Sequence, residues 1–307
     1  MTFQNQRLAY GNALVELGHK RNDIVVLEAD LGKSTMSILF KNEFSDRYFE
    51  MGIGESNMAS FAAGLAVSGK TPFINSFAVF TTGRCYDQIR QSICTANLNV
   101  KIGGSSAGLS DFGDGATHQA IEDIAIMRAL PNMTVLVPAD CIEAVHAVRL
   151  AAEIDGPVYI RISRSDVPNV SEEPSVLDFK PVVLREGTDV CLFACGVMVD
   201  KALTAAEQLA EERVSAKVIN IRCLKPLDEE SVRALTCGIR TVVTCEEHSI
   251  IGGLGAAIAV ALAKEDKKIG FVAIQDEFGQ SAHNVDDLME HYGLTPSHIK
   301  SKVKEIL

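Results

Sequence analysis

The chain has 307 residues, 47 % apolar and 22 % charged, with a formal net charge of −11. That length suits about two domains of ordinary size, and the composition excludes a wholly disordered chain. The acidic balance argues against nonspecific nucleic-acid binding, which draws on phosphate neutralisation by Lys and Arg.

The opening MTFQNQRLAY has neither the basic region nor the apolar stretch of a signal peptide. Candidate strands follow at 24–30 (IVVLEAD), 71–77 (TPFINSF), 100–106 (VKIGGSS), 133–139 (MTVLVPA) and 157–163 (PVYIRIS). Their continuous apolar character suits a parallel sheet covered on both faces. Helical patterns lie between them, near 4–19, 56–68, 80–97, 117–130 and 141–154, the last opened by Asp140 and Glu143 at capping-box spacing. The pattern breaks at 165–181, which holds three prolines and no periodicity, and reads as a linker. Alternation then resumes with strands at 189–196, 216–222, 239–248 and 269–275 and helices near 198–213, 228–236, 254–264 and the end of the chain. The expected fold class is therefore α/β. It comprises two open α/β sandwich domains with mostly parallel sheets, residues 1–166 and 188–307, joined by a linker at 167–187. No apolar run reaches the roughly 18 residues of a membrane helix. The eight cysteines include no CxxC pair. They read as buried reduced thiols, which implies a cytoplasmic protein without a membrane partner.

Ligands of open α/β sheets bind beyond the carboxyl ends of strands, so the segments after each strand are the ones to inspect. ADLGKSTMS (29–37) is hydroxyl-rich but lacks the GxxxxGK[ST] spacing of a phosphate loop. In MGIGESNMASFAAG (51–64), Glu55 stands among Met51, Ile53, Met58 and Phe61. It is either a helix-start carboxylate favoured by the macrodipole or a carboxyl held in an apolar setting so that it can donate a hydrogen bond. Phe77 and Phe80, at a strand-to-helix junction, are either core or a wall for a flat heterocycle. Asp114 and His118 sit four apart in the Gly-rich segment 105–123. Arg161 and Arg164 end the fifth strand, as surface ion pairs or as a donor fork for an anion. Gly252, Gly253 and Gly255 lack the GxGxxG spacing and suit tight turning and close packing.

Taken in order, NQRLAYG, GIGESNM, SFAVFTTGRCYDQIR, GDGATHQAIEDIA, ISR and EEHSIIGGLG resemble the C-terminal half of transketolase over essentially the whole chain. The resemblance implies a pyrimidine-binding domain, a transketolase C-terminal domain, and thiamin diphosphate as cofactor. It implies the small subunit of a split transketolase, transferring a two-carbon ketol unit from a ketose phosphate or similar anionic ketose to an aldose in carbohydrate metabolism of the pentose phosphate kind. The diphosphate and its Mg2+ or Ca2+ would then be held by an N-terminal large subunit, in a heterotetramer of two large and two small chains with contact between the small ones. Gly113-Asp114-Gly115 mimics a diphosphate–metal signature but lacks the strand before it, and Asn132 is isolated beside a proline, so no metal ligand is expected on this chain.

Residue roles carry over in the same way. Glu55 matches the glutamate that hydrogen-bonds the cofactor's aminopyrimidine, Phe77 and Phe80 the aromatic wall beside that ring, Ile53 a backbone contact to it, and Asp30 an acid near the thiazolium. His118 and Asp114 match residues on the donor sugar's hydroxyls, with His118 also catalytic and against the cofactor. Arg7, Ser34 and Arg164 match the clamp on the sugar phosphate. Three positions depart from the family pattern: Ala116 replaces a proline, Ser106 a substrate-contacting histidine, and Gly113 an acid. All fall in the donor channel and leave the sugar open, including a deoxy or otherwise anionic one. The β subunit of a 2-oxo-acid dehydrogenase and a deoxyxylulose-phosphate-synthase-like enzyme remain as alternatives within the cofactor class, and a noncatalytic scaffold outside it.

Overall fold

The computed structural model describes residues 3–173, 178 and 180–307. Of the expected linker, residues 174–177 and 179 lie outside the described residues. The strands in chain order are β1 (Phe3–Asn5), β2 (Ile24–Glu28), β3 (Tyr48–Glu50), β4 (Thr71–Phe77), β5 (Lys101–Ser105), β6 (Thr134–Leu136) and β7 (Val158–Arg161). They continue with β8 (Asp166–Pro168), β9 (Val182–Arg185), β10 (Val190–Ala194), β11 (Ala216–Asn220), β12 (Cys223–Lys225), β13 (Thr241–Ser249) and β14 (Lys268–Ile274).

Two open sheets carry the fold. The first has the order β12-β6-β7-β5-β4-β2-β3, parallel except for β12. The second has the order β14-β13-β10-β11-β9, parallel except for β9. β1 and β8 form a small antiparallel pair. Strands β2, β4, β5 and β10 are buried along their whole length, as continuous apolar runs between two helical layers must be. The expected α/β class with mostly parallel sheets is what the chain adopts.

Three short elements carry no alternation long enough to read from sequence. β3 closes one edge of the first sheet, and β9 caps the second. β12 is drawn from the second half of the chain yet pairs with β6 of the first sheet, so the two halves are stitched by backbone hydrogen bonds. They also share one apolar core, in which Met127, Leu130 and Val135 pack with Leu224, Val232, Leu254 and Ile258.

Two expected helices are reshaped where they approach the carboxyl edge of the first sheet. The stretch expected at 80–97 is wound with an extra residue per turn at Phe80–Arg84 and Ile89–Cys94. The Thr81 and Thr82 hydroxyls donate to the carbonyls of Phe77 and Ala78 there and compete with the helical ladder. The stretch expected at 117–130 is helical only over Asp123–Ala129. Its first part is pulled down on β5's extension by the Gly108 N–H to Ala120 carbonyl bond of 2.9 Å. No helix among the described residues is long and apolar enough to cross a membrane. The eight cysteines are free thiols, all buried except Cys237.

Candidate active site

The segments after β2, β4, β5 and β7 converge at the carboxyl edge of the first sheet, the place where such sheets bind ligands. Glu55 opens the helix Glu55–Val67, whose N-terminus favours a negative charge. The residue is only 5 % exposed. Its Oε1 accepts a hydrogen bond from Arg84 at 3.1 Å, and no other side-chain hydrogen bond reaches that carboxyl among the described residues.

β4 ends in Phe77, and the widened turn that follows places Phe80 beside it, with ring centroids 6.0 Å apart and planes 17° from parallel. His118 stands edge-on to both rings, at 6.1 Å from Phe77 and 5.3 Å from Phe80. The Arg84 guanidinium lies over the Phe80 ring, 4.2 Å from its centroid. Phe77, Phe80 and His118 thus form one cluster, and Arg84, which the sequence did not single out, bridges it to Glu55.

A second cluster lies beyond it. Arg7, at the start of the helix Gln6–Lys20, donates to the Ser34 carbonyl at 3.0 Å. Ser34 therefore contributes its backbone to that contact. Burial lowers the Arg7 pKa, and the nearby charge of Arg164 lowers it further. The Arg164 guanidinium is held at 2.8 Å by Asp111, which is 3 % exposed. Two guanidiniums kept close, one desolvated, form a site that gains by taking an anion. Asp111 is a residue that sequence reasoning missed. Its position in the polar segment 105–123 was legible, but its pairing needs the long-range contact.

The loop Asp111–His118 links the two clusters, with Asp114 exposed at the head of a 3₁₀ turn. Asp30 and Ile53 lie on the loops after β2 and β3 with exposed side chains. Asp30 adopts the left-handed φ of 60°, and its N–H donates to Glu50 at 2.8 Å. Ile53 is 79 % exposed. Among the described residues, the Asp30 side chain has no hydrogen-bond partner, and neither side chain is packed into the two clusters.

The second half of the chain grips the site loop from below. The Leu109 N–H donates to Glu247 at 2.9 Å and the Ser249 N–H to the Ile121 carbonyl at 2.7 Å. Gln119 Nε2 donates to the Gln280 carbonyl at 3.0 Å. Arg161 does not face the crevice. It is buried, with Nε donating to Asp123 at 2.8 Å and an amino group to the Glu247 carbonyl at 2.9 Å. Burial alone would lower its pKa, but Asp123 and Glu247 outweigh burial and raise it. Burial lifts Glu246 and Glu247 to about 7 each. Burial likewise pushes His248 down to about 4, consistent with a neutral ring that accepts from the Ala125 N–H at 3.3 Å. Glu246 receives the N–H groups of Leu254 and Gly255 at 2.6 and 2.8 Å. A Cβ on Gly253 would stand 1.9 Å from that carboxylate, so the close approach requires glycine there. Among the described residues, no group of three or more His, Cys, Asp or Glu is placed to hold a metal ion.

Comparison with known proteins defines the class. The model of the transketolase pyrimidine-binding domain matches residues 4–170, and that of the transketolase C-terminal domain matches residues 180–299. The chain belongs to the transketolase family. Among its relatives, a 6-deoxy-6-sulfo-D-fructose transketolase subunit of a Clostridium species is 39 % identical, over 98 % of this chain and 94 % of its own length. An apulose-4-phosphate transketolase subunit of Phocaeicola vulgatus is 33 % identical, over 94 % and 93 %. Among solved structures, a split-gene transketolase described as an inactive beta4 tetramer aligns with a TM-score of 0.90 and 46 % identity, covering 99 % of this chain and 98 % of its own.

Proposed function

We propose that the chain is the small subunit of a split, thiamin-diphosphate-dependent transketolase. The observation that carries this reading is the pairing of a buried carboxylate with an aromatic face. The cofactor's aminopyrimidine is a flat ring edged with N–H groups. The structure already seats a flat N–H-bearing group, the Arg84 guanidinium, against both Glu55 and Phe80, so these residues fit such a ring. When bound, thiamin diphosphate supplies a nucleophilic ring carbon and an electron sink for cleavage beside a carbonyl.

The chain's own residues then have distinct tasks. Glu55 holds the aminopyrimidine edge and exchanges a proton with it, a task suited to a carboxyl shielded from water. Phe77 and Phe80 hold the ring's position and exclude water, and Ile53 supplies a backbone contact to it. Asp30, on the loop after β2, serves as the acid beside the thiazolium. His118, edge-on to the aromatic wall, moves a proton at a donor-sugar hydroxyl, with Asp114 binding a neighbouring one. Arg7, Arg164 and the Ser34 turn bind the anionic end of the donor, and that remote binding orients the reacting end. The anion is a phosphate or another group of like charge and shape. The relative named for a sulfo-sugar supports keeping both.

In this reading the diphosphate and its divalent metal, Mg2+ or Ca2+, sit on an N-terminal large subunit in an assembly of two large and two small chains. The relatives named as subunits and the tetrameric relative described as inactive support a catalytic partner. The domains are taken as 1–166 and 188–307, and the buried thiols support a cytoplasmic location. The test is Glu55→Gln, which keeps the shape of the residue. Ketol transfer by the assembled enzyme should fall by at least about 100-fold with the fold retained. Near-normal transfer, or decarboxylation of a 2-oxo acid in place of transfer, contradicts the reading.

A further inference from the structure

Arg84 has no task in the proposed reaction, yet its geometry gives it a role. Its guanidinium makes two contacts at once: 3.1 Å to the Glu55 carboxylate and 4.2 Å to the centre of the Phe80 ring. Those are the two surfaces that the aminopyrimidine needs. A guanidinium and an aminopyrimidine share a recognition chemistry, since both are planar, carry N–H donors at the edge and present a face for stacking. One carboxylate oxygen and one ring face cannot serve both in full.

We propose that Arg84 competes with the cofactor's aminopyrimidine for Glu55 and Phe80, and so sets cofactor affinity. This rests on the reading of Glu55 and Phe80 as the aminopyrimidine site. The local structure allows the exchange. Arg84 ends the widened turn Phe80–Arg84, and its carbonyl is tied to the Ser56 hydroxyl at 2.9 Å, so its backbone stays fixed to the Glu55 helix. Its side chain is about half exposed, against 6 % for that of Glu55. The arginine can therefore swing into water while the carboxylate cannot. Until it does, it keeps a buried charge paired, which matters because an uncompensated buried carboxylate is costly.

The test uses the full chain and the free aminopyrimidine alcohol of thiamin, titrated by calorimetry or ligand-observed NMR. Arg84→Met removes the competitor. It should bind the aminopyrimidine roughly five- to thirtyfold tighter than the unmodified chain, the worth of an ion pair whose arginine is half exposed plus a cation–π contact. Arg84→Lys keeps the charge but loses the plane and the fork, and should fall between the two. It also guards against a folding defect in the first variant. Equal or weaker binding by Arg84→Met overturns the competition and makes Arg84 a contact of the ring or a bystander. Glu55→Gln separates this from the underlying reading. If it weakens binding while Arg84→Met does not tighten it, only the role of Arg84 fails. If Glu55→Gln leaves binding unchanged, or the chain binds no aminopyrimidine at all, the site reading fails with it.

Discussion

Arg161 is the bolt between the two halves of the molecule, and Arg161→Met should show it. The arginine leaves β7, donates to Asp123 at 2.8 Å, and reaches the carbonyls of Ala120 at 3.3 Å and Glu247 at 2.9 Å. Its other amino group is 3.7 Å from the Glu247 carboxylate. Arg161 is 6 % exposed and Asp123 0 %. Methionine fills much of the volume but strands the Asp123 charge, while Glu247 can take up a proton, being held near 7 already. Breaking a buried pair from one side costs about 3–5 kcal/mol. At about 2–3 °C per kcal/mol for a chain of this size, the melting temperature should fall by about 6–15 °C. Differential scanning calorimetry reads this directly. Asp123→Asn in the same chain removes the stranded charge and still accepts from the Tyr159 hydroxyl, which donates to Asp123 at 2.6 Å. The double variant should recover about 1–3 kcal/mol of the loss. A single variant that loses less than about 1 kcal/mol, or a double variant whose losses simply add, refutes the bolt.

Two further outcomes follow from the same geometry. Arg164→Ala should raise KM for an anionic ketose donor by about 10- to 100-fold, the worth of a charge-assisted hydrogen bond, with little change for a ketose lacking the anion; equal effects on both donors would move the anion site elsewhere. Burial raises Glu28, Glu246 and Glu247 to about 7 each, so between about pH 4.5 and 7 the folded chain holds protons that the unfolded chain releases, and stability falls as pH rises through that window. His248, lowered to about 4 by burial, works the other way between about pH 6.5 and 4, but three carboxyls outweigh one ring. Urea midpoints taken across pH 4.5–7.5 should decline toward neutrality, and Glu28→Gln should flatten the decline.

Much of the first sheet was legible because its strands are continuous apolar runs, and a strand buried on both faces needs no alternation. Neighbours in sequence are the easiest to read as neighbours in space: Phe77 and Phe80, three apart, stack on one another. What escaped depends on contacts made across the chain. β12 was invisible because three residues of ordinary composition become a strand only when β6 offers an open edge. Asp111 and Arg84 lay inside segments singled out for their polar and aromatic residues, but their roles come from partners 53 and 29 residues away. The end of a strand leaves Arg161 open to either a surface ion pair or an anion-binding fork, and it is neither. Its neighbours Asp123 and Glu247 come from elsewhere in the chain and turn it inward. The helix expected at 117–130 failed for a related reason, since docking of Ala120 on Gly108 overrides local propensity.

As the small subunit proposed, this chain would supply half of a catalytic site. The direct measurement is ketol transfer from a ketose phosphate, with thiamin diphosphate and magnesium, by this chain alone and then with a purified N-terminal transketolase subunit added in increasing ratio. The chain alone should show no turnover, the mixture should rise to a plateau at one large subunit per small one, and Glu55→Gln should abolish that activity. Full turnover by the chain alone, or activity of the mixture that is indifferent to Glu55, would contradict the proposal.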